Sequence, residues 1–265
     1  MRRVFRRMSC DIWKLWVETM SVFKIAGLVV ALMLVLACSK QEESTTTAPG
    51  YEKALLLNYV EQEPGIEPYP TRLIVTKDYA RFDDGQGSID YVLFERASKT
   101  IYSVSASDQR VLVIPPREVD IEPPFALEVT ENDLGVMGEA PTVQGQRPRH
   151  YQIVVNGEVC YEVVTIAGLL EEALAATREY RQALAGDSAA TFNSIPADMH
   201  DPCAMALNTF APNHHLSHGL PIQEWSASGY SRSLLDFDVD FMAAQALLEV
   251  PSEFPQVSIE QLRGG

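Results

Sequence analysis

The sequence is short of positive charge. Its 265 residues carry 21 Lys+Arg against 36 Asp+Glu. Residues 1–37 hold six of the basic residues and two of the acidic ones, so the remainder has 15 against 34, a net charge of −19. Such a surface repels phosphate backbones, which argues against a nucleic-acid partner. It also disfavours adsorption to anionic lipid except through a covalent anchor. Nucleotide signatures are missing: there is no P-loop and no dinucleotide fingerprint. No Gly-x-Ser-x-Gly nucleophile turn occurs, and Ser217-His218-Gly219 and Gly229-Tyr230-Ser231 do not approximate it. No catalytic site is expected, no cofactor is implied, and the sequence reads as a non-enzyme. There is no defensible internal repeat. Cysteine is scarce, with four: Cys10, Cys38, Cys160 and Cys203.

Long apolar runs are also wanting. Ile25–Ala37 (IAGLVVALMLVLA) has thirteen residues, too short for a confident membrane-spanning helix but of the length of a signal-peptide apolar core. It ends in Val35-Leu36-Ala37-Cys38, which resembles the lipobox of bacterial lipoproteins. Leu36 is the least usual member of that pattern. The resemblance implies a signal peptide over residues 1–37 and a Cys38 that carries a diacylglycerol and an amide-linked acyl chain such as palmitate. Two or more chains anchor a protein stably, whereas one binds marginally. Ser39, where an Asp is absent, implies sorting to the outer membrane in that family, with the domain facing the periplasm. Residues 38–50 (CSKQEESTTTAPG) cannot bury enough apolar area to fold and suit a disordered tether. Residues 1–19, with Cys10, Trp13 and Trp16, fit a signal peptide poorly. Met20 is the expected true start.

Residues 51–265 read as a single β-rich domain. Tyr51–Gln62 is expected to be a strand. Thr71–Pro115 holds four β-patterned runs (72–82, 89–96, 99–105, 110–114) about ten residues apart, the signature of an antiparallel meander. The first run breaks at Lys77-Asp78, a turn or bulge. Phe125–Thr130 is expected as a strand and 132–147 as a loop. Asn156-Gly157 between 149–155 and 158–166 predicts a hairpin with a type I′ turn. Helical spacing over Gly168–Ala185 predicts a helix ending at Gly186 as C′ residue. Asp201 as N-cap and Pro202 at the first position predict a second helix. Further strands are expected over 220–226 and 233–250. In the latter, Asp236, Asp238 and Asp240 alternate with apolar residues and mark a wet face. The fold class is α+β and mostly antiparallel β, with nine to eleven strands forming a curved, incompletely closed barrel. Two helices are inserted in its C-terminal third, one lying against the concave face.

That order resembles the half-barrel periplasmic lipoprotein carriers and acceptors, the Lol group, and uncharacterised bacterial lipoproteins of similar build. The residues behind the resemblance are the meander Arg72–Ile114 and the hairpin Tyr151–Ile166. It implies a concavity that holds an acyl chain or lipid, or buries a helix. It carries over no catalytic residue. The function expected is that of a membrane-anchored lipoprotein binding a hydrophobic or amphipathic ligand. An envelope scaffold with a protein partner and a hydrolase of unfamiliar site stand as alternatives.

Three smaller features remain. Outside the cytoplasm an even pair of cysteines favours a disulfide, here Cys160–Cys203. His214, His215 and His218 form a histidine cluster that could ligate metal, but the surrounding loop has no Glu or Cys and lacks the His-Glu-x-x-His order, so an exposed polar loop is expected. Asp83-Asp84-Gly85-Gln86-Gly87 could offer oxygen ligands to calcium, but it reads as a hairpin turn.

Overall fold

A computed structural model describes residues 50–263, apart from 88, 193, 197 and 198. The expected signal peptide, Met20, Cys10, the lipidation residue Cys38 and the tether up to residue 49 lie outside the described residues.

Short runs rich in Val, Ile, Leu, Tyr and Phe build one twelve-stranded sheet. In chain order the strands are β1 (Tyr51–Gln62), β2 (Tyr69–Val75), β3 (Tyr79–Asp83), β4 (Tyr91–Glu95), β5 (Thr100–Ser105), β6 (Arg110–Ile114), β7 (Val129–Val136), β8 (Arg149–Val155), β9 (Glu158–Ile166), β10 (Leu220–Ser226), β11 (Ser231–Ala244) and β12 (Gln256–Val257). They lie side by side as β12-β6-β5-β4-β3-β2-β1-β11-β10-β9-β8-β7. The outermost pair, β12 with β6, is parallel. The other neighbours are antiparallel. The ends of this order, β12 and β7, do not pair with each other, so the sheet is an open half-barrel. Two meanders, β1–β6 and β7–β11, meet along β1 and β11. The strand beyond the expected number is the two-residue β12.

Turn chemistry follows the sequence. Asn156 and Gly157 adopt φ of 53° and 85°, the left-handed values a type I′ turn needs. At Lys77-Asp78 the chain turns, and the Thr76 hydroxyl accepts from the Tyr79 amide at 3.1 Å.

The concave face is closed by helix α1 (Glu171–Phe192). Leu57, Leu73, Val75, Phe94 and Ile101 of the sheet pack with Ala173, Leu174, Ala176 and Ala183 of the helix. Alanines on that face let the helix axis lie close to the strands. Arg96 bonds Glu172 at 2.8 Å and Glu179 at 3.1 Å, and Lys99 reaches Glu179 at 2.9 Å, so the β4–β5 hairpin grips the helix from outside. On the convex face a 3-10 turn, Gln245–Leu248, covers Ile74, Ala54 and Ala243. Helix α2 (Pro202–Met205) starts as expected, its Asp201 side chain accepting from the Cys203 amide. It runs on as a π-helical turn, Ala206–Phe210. A short helix α3 (Ile259–Arg263) ends the described chain.

Four expectations need correction. The strand expected over 233–250 ends at Ala244, where the chain turns into the 3-10 segment Gln245–Leu248. Helix α1 does not stop at Ala185, and Gly186 is not its C′ residue. Gly186 lies inside the helix because the Arg117 backbone crosses there: a Cβ would sit 2.2 Å from the Arg117 carbonyl oxygen. Residues 125–128 are not strand and 132–136 are, because pairing with β8 overrides the polar composition of that stretch. The strict alternation expected along β11 is broken by two register shifts against β1, which leave Leu235 and Val239 exposed.

Candidate functional site

Where the two meanders meet, the concave face carries charge instead of hydrocarbon. Leu57, Tyr59 and Glu61 share one face of β1, since alternate residues point the same way. Glu61 pairs across the ladder with Arg232 of β11, and Arg232 with Glu224 of β10. The three side chains form a row, Glu61–Arg232–Glu224. The Arg232 Nε lies 3.3 Å from Glu61 and its Nη1 lies 3.4 Å from Glu224. Its guanidinium stacks on Tyr59 at 3.7 Å from the ring centre, a cation–π contact. Glu61 also accepts from the Thr71 hydroxyl at 2.7 Å and the Tyr230 hydroxyl at 3.2 Å. Burial works against the Arg232 charge, but Tyr59, Glu224 and Glu61 outweigh it and hold the guanidinium above its ordinary range.

Arg232 and Glu224 of this row, with Tyr59, line a cavity of about 600 Å³ between the sheet and the helical layer. That volume lies within the range of small-molecule sites. Its walls come from every nearby element: Phe82 of β3, Tyr161 of β9, Tyr180 and Arg181 of α1, Leu207 of the π turn and His215. Tyr180 is fixed by Phe82 and Phe94, with ring centres 4.5 and 5.8 Å away. Arg181 donates to the carbonyls of Pro212 at 2.8 Å and Leu207 at 2.9 Å, and so ties the loop to the helix. Burial raises the Tyr59 phenol to about 12, partly offset by Arg232. Burial likewise raises the Tyr161 and Tyr230 phenols, with Glu224 adding to both. The His215 imidazole is pushed well below its ordinary range by burial, then by Arg181, Arg232 and His214. The tyrosines and His215 are therefore neutral at neutral pH.

The structure divides the three histidines. His215 is buried, 5% exposed, and faces the cavity edge-on to Tyr161. His218 and His214 turn to Glu131 of β7, at 2.6 and 3.8 Å, and His218 stacks on Tyr151 with ring centres 4.0 Å apart. The exposed polar loop expected there is instead a 3-10 turn, His214–Leu216, held on both sides. Among the described residues no group of three or more His, Cys, Asp or Glu is placed to hold a metal ion. In the Asp83 turn the carboxylate is engaged by Arg72 at 2.8 Å and Arg81 at 2.6 Å. Asp236 accepts from Asn58, and Asp240 pairs with Lys53 in solvent.

Cys160 and Cys203 are joined by a disulfide, with Cα atoms 5.4 Å apart across 43 residues. It ties β9 to α2 beside the cavity, within a small core of Ile153, Val155, Ala206 and Leu207. Sequence reasoning found both cysteines and His215 but missed Glu61, Arg232, Glu224 and the tyrosines. The available signal was phase: Glu61 follows Leu57 and Tyr59 on an inward-facing series, and Arg232 precedes Leu234 on another.

No protein-family model and no curated protein matches the chain. Among solved structures it is similar to PNGF-II in space group C2, with a TM-score of 0.39 at 8% identity over 80% of this chain and 32% of that one. The P21 form gives a TM-score of 0.37 at 7% identity, over 80% and 33%. The chain thus spans about a third of the length of that neighbour. Among the described residues no helix is long and apolar enough to cross a membrane.

Proposed function

We propose that this protein is an outer-membrane lipoprotein, anchored through Cys38 and facing the periplasm, that binds a hydrophobic or amphipathic ligand and performs no chemistry on it. The observation that supports this reading is the cavity of about 600 Å³ on the concave face. Aromatic and aliphatic walls from Phe82, Tyr180, Leu207 and Leu216 suit an apolar body, and Arg232 and Glu224 in the same lining suit a polar end. The nearby disulfide fits an oxidising compartment, in keeping with the lipobox-like Val35–Cys38.

Native mass spectrometry of residues 39–265, exported and purified without detergent, tests the reading. A retained adduct of lipid-like mass that is lost on filling the cavity with Ala204→Trp is the expected result. A clean apo mass in repeated preparations, together with a stable envelope complex, would overturn it in favour of a protein-binding scaffold. Palmitate labelling that persists in Cys38→Ser would overturn the anchor.

A further inference from the structure

The lining of the cavity carries more negative than positive charge, and this constrains the ligand's polar end. Arg232 lies between two carboxylates, Glu61 and Glu224. Arg181 donates to the Pro212 and Leu207 carbonyls. Glu158 and Asp201 add negative charge to the lining. Arg181 keeps its charge, since carbonyls are neutral, but the lining holds three carboxylates, Glu158, Asp201 and Glu224, against two guanidinium groups, Arg181 and Arg232. A carboxylate or phosphate would shed water to enter a lining of net negative charge, which is a penalty in a buried site.

What the cavity does offer is neutral hydrogen bonding. Among the described residues the hydroxyls of Tyr59, Tyr161 and Tyr180 have no hydrogen-bond partner, and neither has the His215 ring. Each can donate or accept. His215 is 5% exposed, Tyr59 is 2% exposed, and both border the cavity. Buried polar groups in folded proteins are paired, so unpartnered ones around a cavity await something that pairs them. Aromatic faces beside them suit a ring or chain of CH groups.

From this lining we infer that the cavity selects an amphiphile with a neutral, hydroxyl-bearing head group and excludes carboxylates and phosphates of the same chain length. The inference rests on the proposed ligand site and names the class of its ligand. Three of the phenols come from separate strands and a helix, so the polar groups surround the space instead of lining one edge. A polyol presents donors and acceptors in several directions and can meet them together.

The test uses the full chain in lipid nanodiscs, with heats from empty nanodiscs subtracted. Octyl β-glucoside, sodium octanoate and glucose are titrated separately by calorimetry. Octyl β-glucoside is expected to bind at least about ten-fold tighter than octanoate, because an anion that sheds its water inside a net negative lining loses well over one such factor. Tyr161→Phe and Tyr180→Phe, which keep the ring, are expected to weaken octyl β-glucoside by about ten-fold each and leave octanoate unchanged. Glu224→Gln, which removes one negative charge, is expected to strengthen octanoate. Octanoate binding as tightly as octyl β-glucoside would overturn the head-group inference and leave the ligand site standing. Glucose binding as tightly as octyl β-glucoside would overturn the need for an apolar body. Binding of none of the three would overturn the ligand site itself.

Discussion

Replacing Arg232 by Met is the sharpest test of the charged row. The substitution keeps the length and most of the apolar stem but deletes the guanidinium. Two carboxylates then face one another across the vacated strand position, and Tyr59 loses its stacked cation at 3.7 Å. The side chains are 18% exposed at Arg232, 18% at Glu61 and 7% at Glu224. These are not surface ion pairs, which are worth at most about 1 kcal/mol. Breaking a buried pair costs about 3–5 kcal/mol, and partial exposure puts this case at the low end, about 3 kcal/mol at neutral pH. With a urea m-value of about 2 kcal/mol/M, the unfolding midpoint should fall by about 1.5 M. The triple variant Glu61→Gln, Arg232→Met, Glu224→Gln should recover most of the loss, since an apolar or neutral replacement of a whole buried set is often neutral. Circular dichroism during urea titration reads all three proteins. A loss that is not recovered in the triple variant would refute the reasoning.

Other perturbations follow from the same geometry. Loss of the Cys160–Cys203 bond, by reduction or by Cys203→Ser, releases a loop of 43 residues and should cost about 4 kcal/mol on the chain-entropy account. Urea unfolding with and without reductant measures it. Gly186→Ala would ordinarily stabilise a helix by about 1 kcal/mol, yet the Arg117 carbonyl stands 2.2 Å from the new Cβ. A net loss of about 1–3 kcal/mol is therefore expected in thermal unfolding, and a gain would show that no close approach exists. Asp83 pairs with Arg72 and Arg81 and accepts the Gly85 amide. Burial raises its carboxyl, but those partners outweigh it and hold the carboxyl below the usual carboxylate range. A lowered folded value gives stability that is present above the unfolded value and is lost as pH falls through the folded one. Asp83→Asn should accordingly destabilise at neutral pH and converge on the parent protein in acid, as a stability–pH profile will show.

The strands were legible because their runs rich in Val, Ile, Leu, Tyr and Phe are short and bounded by turn residues, not because burial alternates: β2, β8 and β9 bury consecutive residues. Asn156-Gly157 and Asp201-Pro202 were legible because their chemistry is local: one needs positive φ, the other a side-chain cap. Gly186 and β7 were not. Each depends on a distant segment, the Arg117 backbone in one case and β8 in the other, and no window of sequence contains both partners. The candidate site failed for the same reason. Glu61 and Arg232 are ordinary polar residues until β1 and β11 are laid side by side. His215 was noticed as one of three, but a 3-10 turn is what separates it from His214 and His218. The disulfide was legible only through the compartment implied by residues 35–38.

The seam between β1 and β11 joins residues far apart in the chain, as the bond from Asn58 to Asp236 shows, 178 positions on. The meander β1–β6 is built from neighbouring hairpins and closes small loops, whereas the seam closes nearly the whole domain. Contacts of such high order are reached late on a folding path, because loop-closure entropy opposes them until local structure has formed. During synthesis β1 emerges long before β11, so its unpaired edge, carrying Leu55, Leu57 and Tyr59, waits as an exposed template for other strands. The Glu61 and Arg232 pair then acts as a registration mark: a slip by one residue would bury both charges apart. The cavity is lined from both sides of this seam, by Tyr59 and Arg232, so it takes shape only when the seam locks.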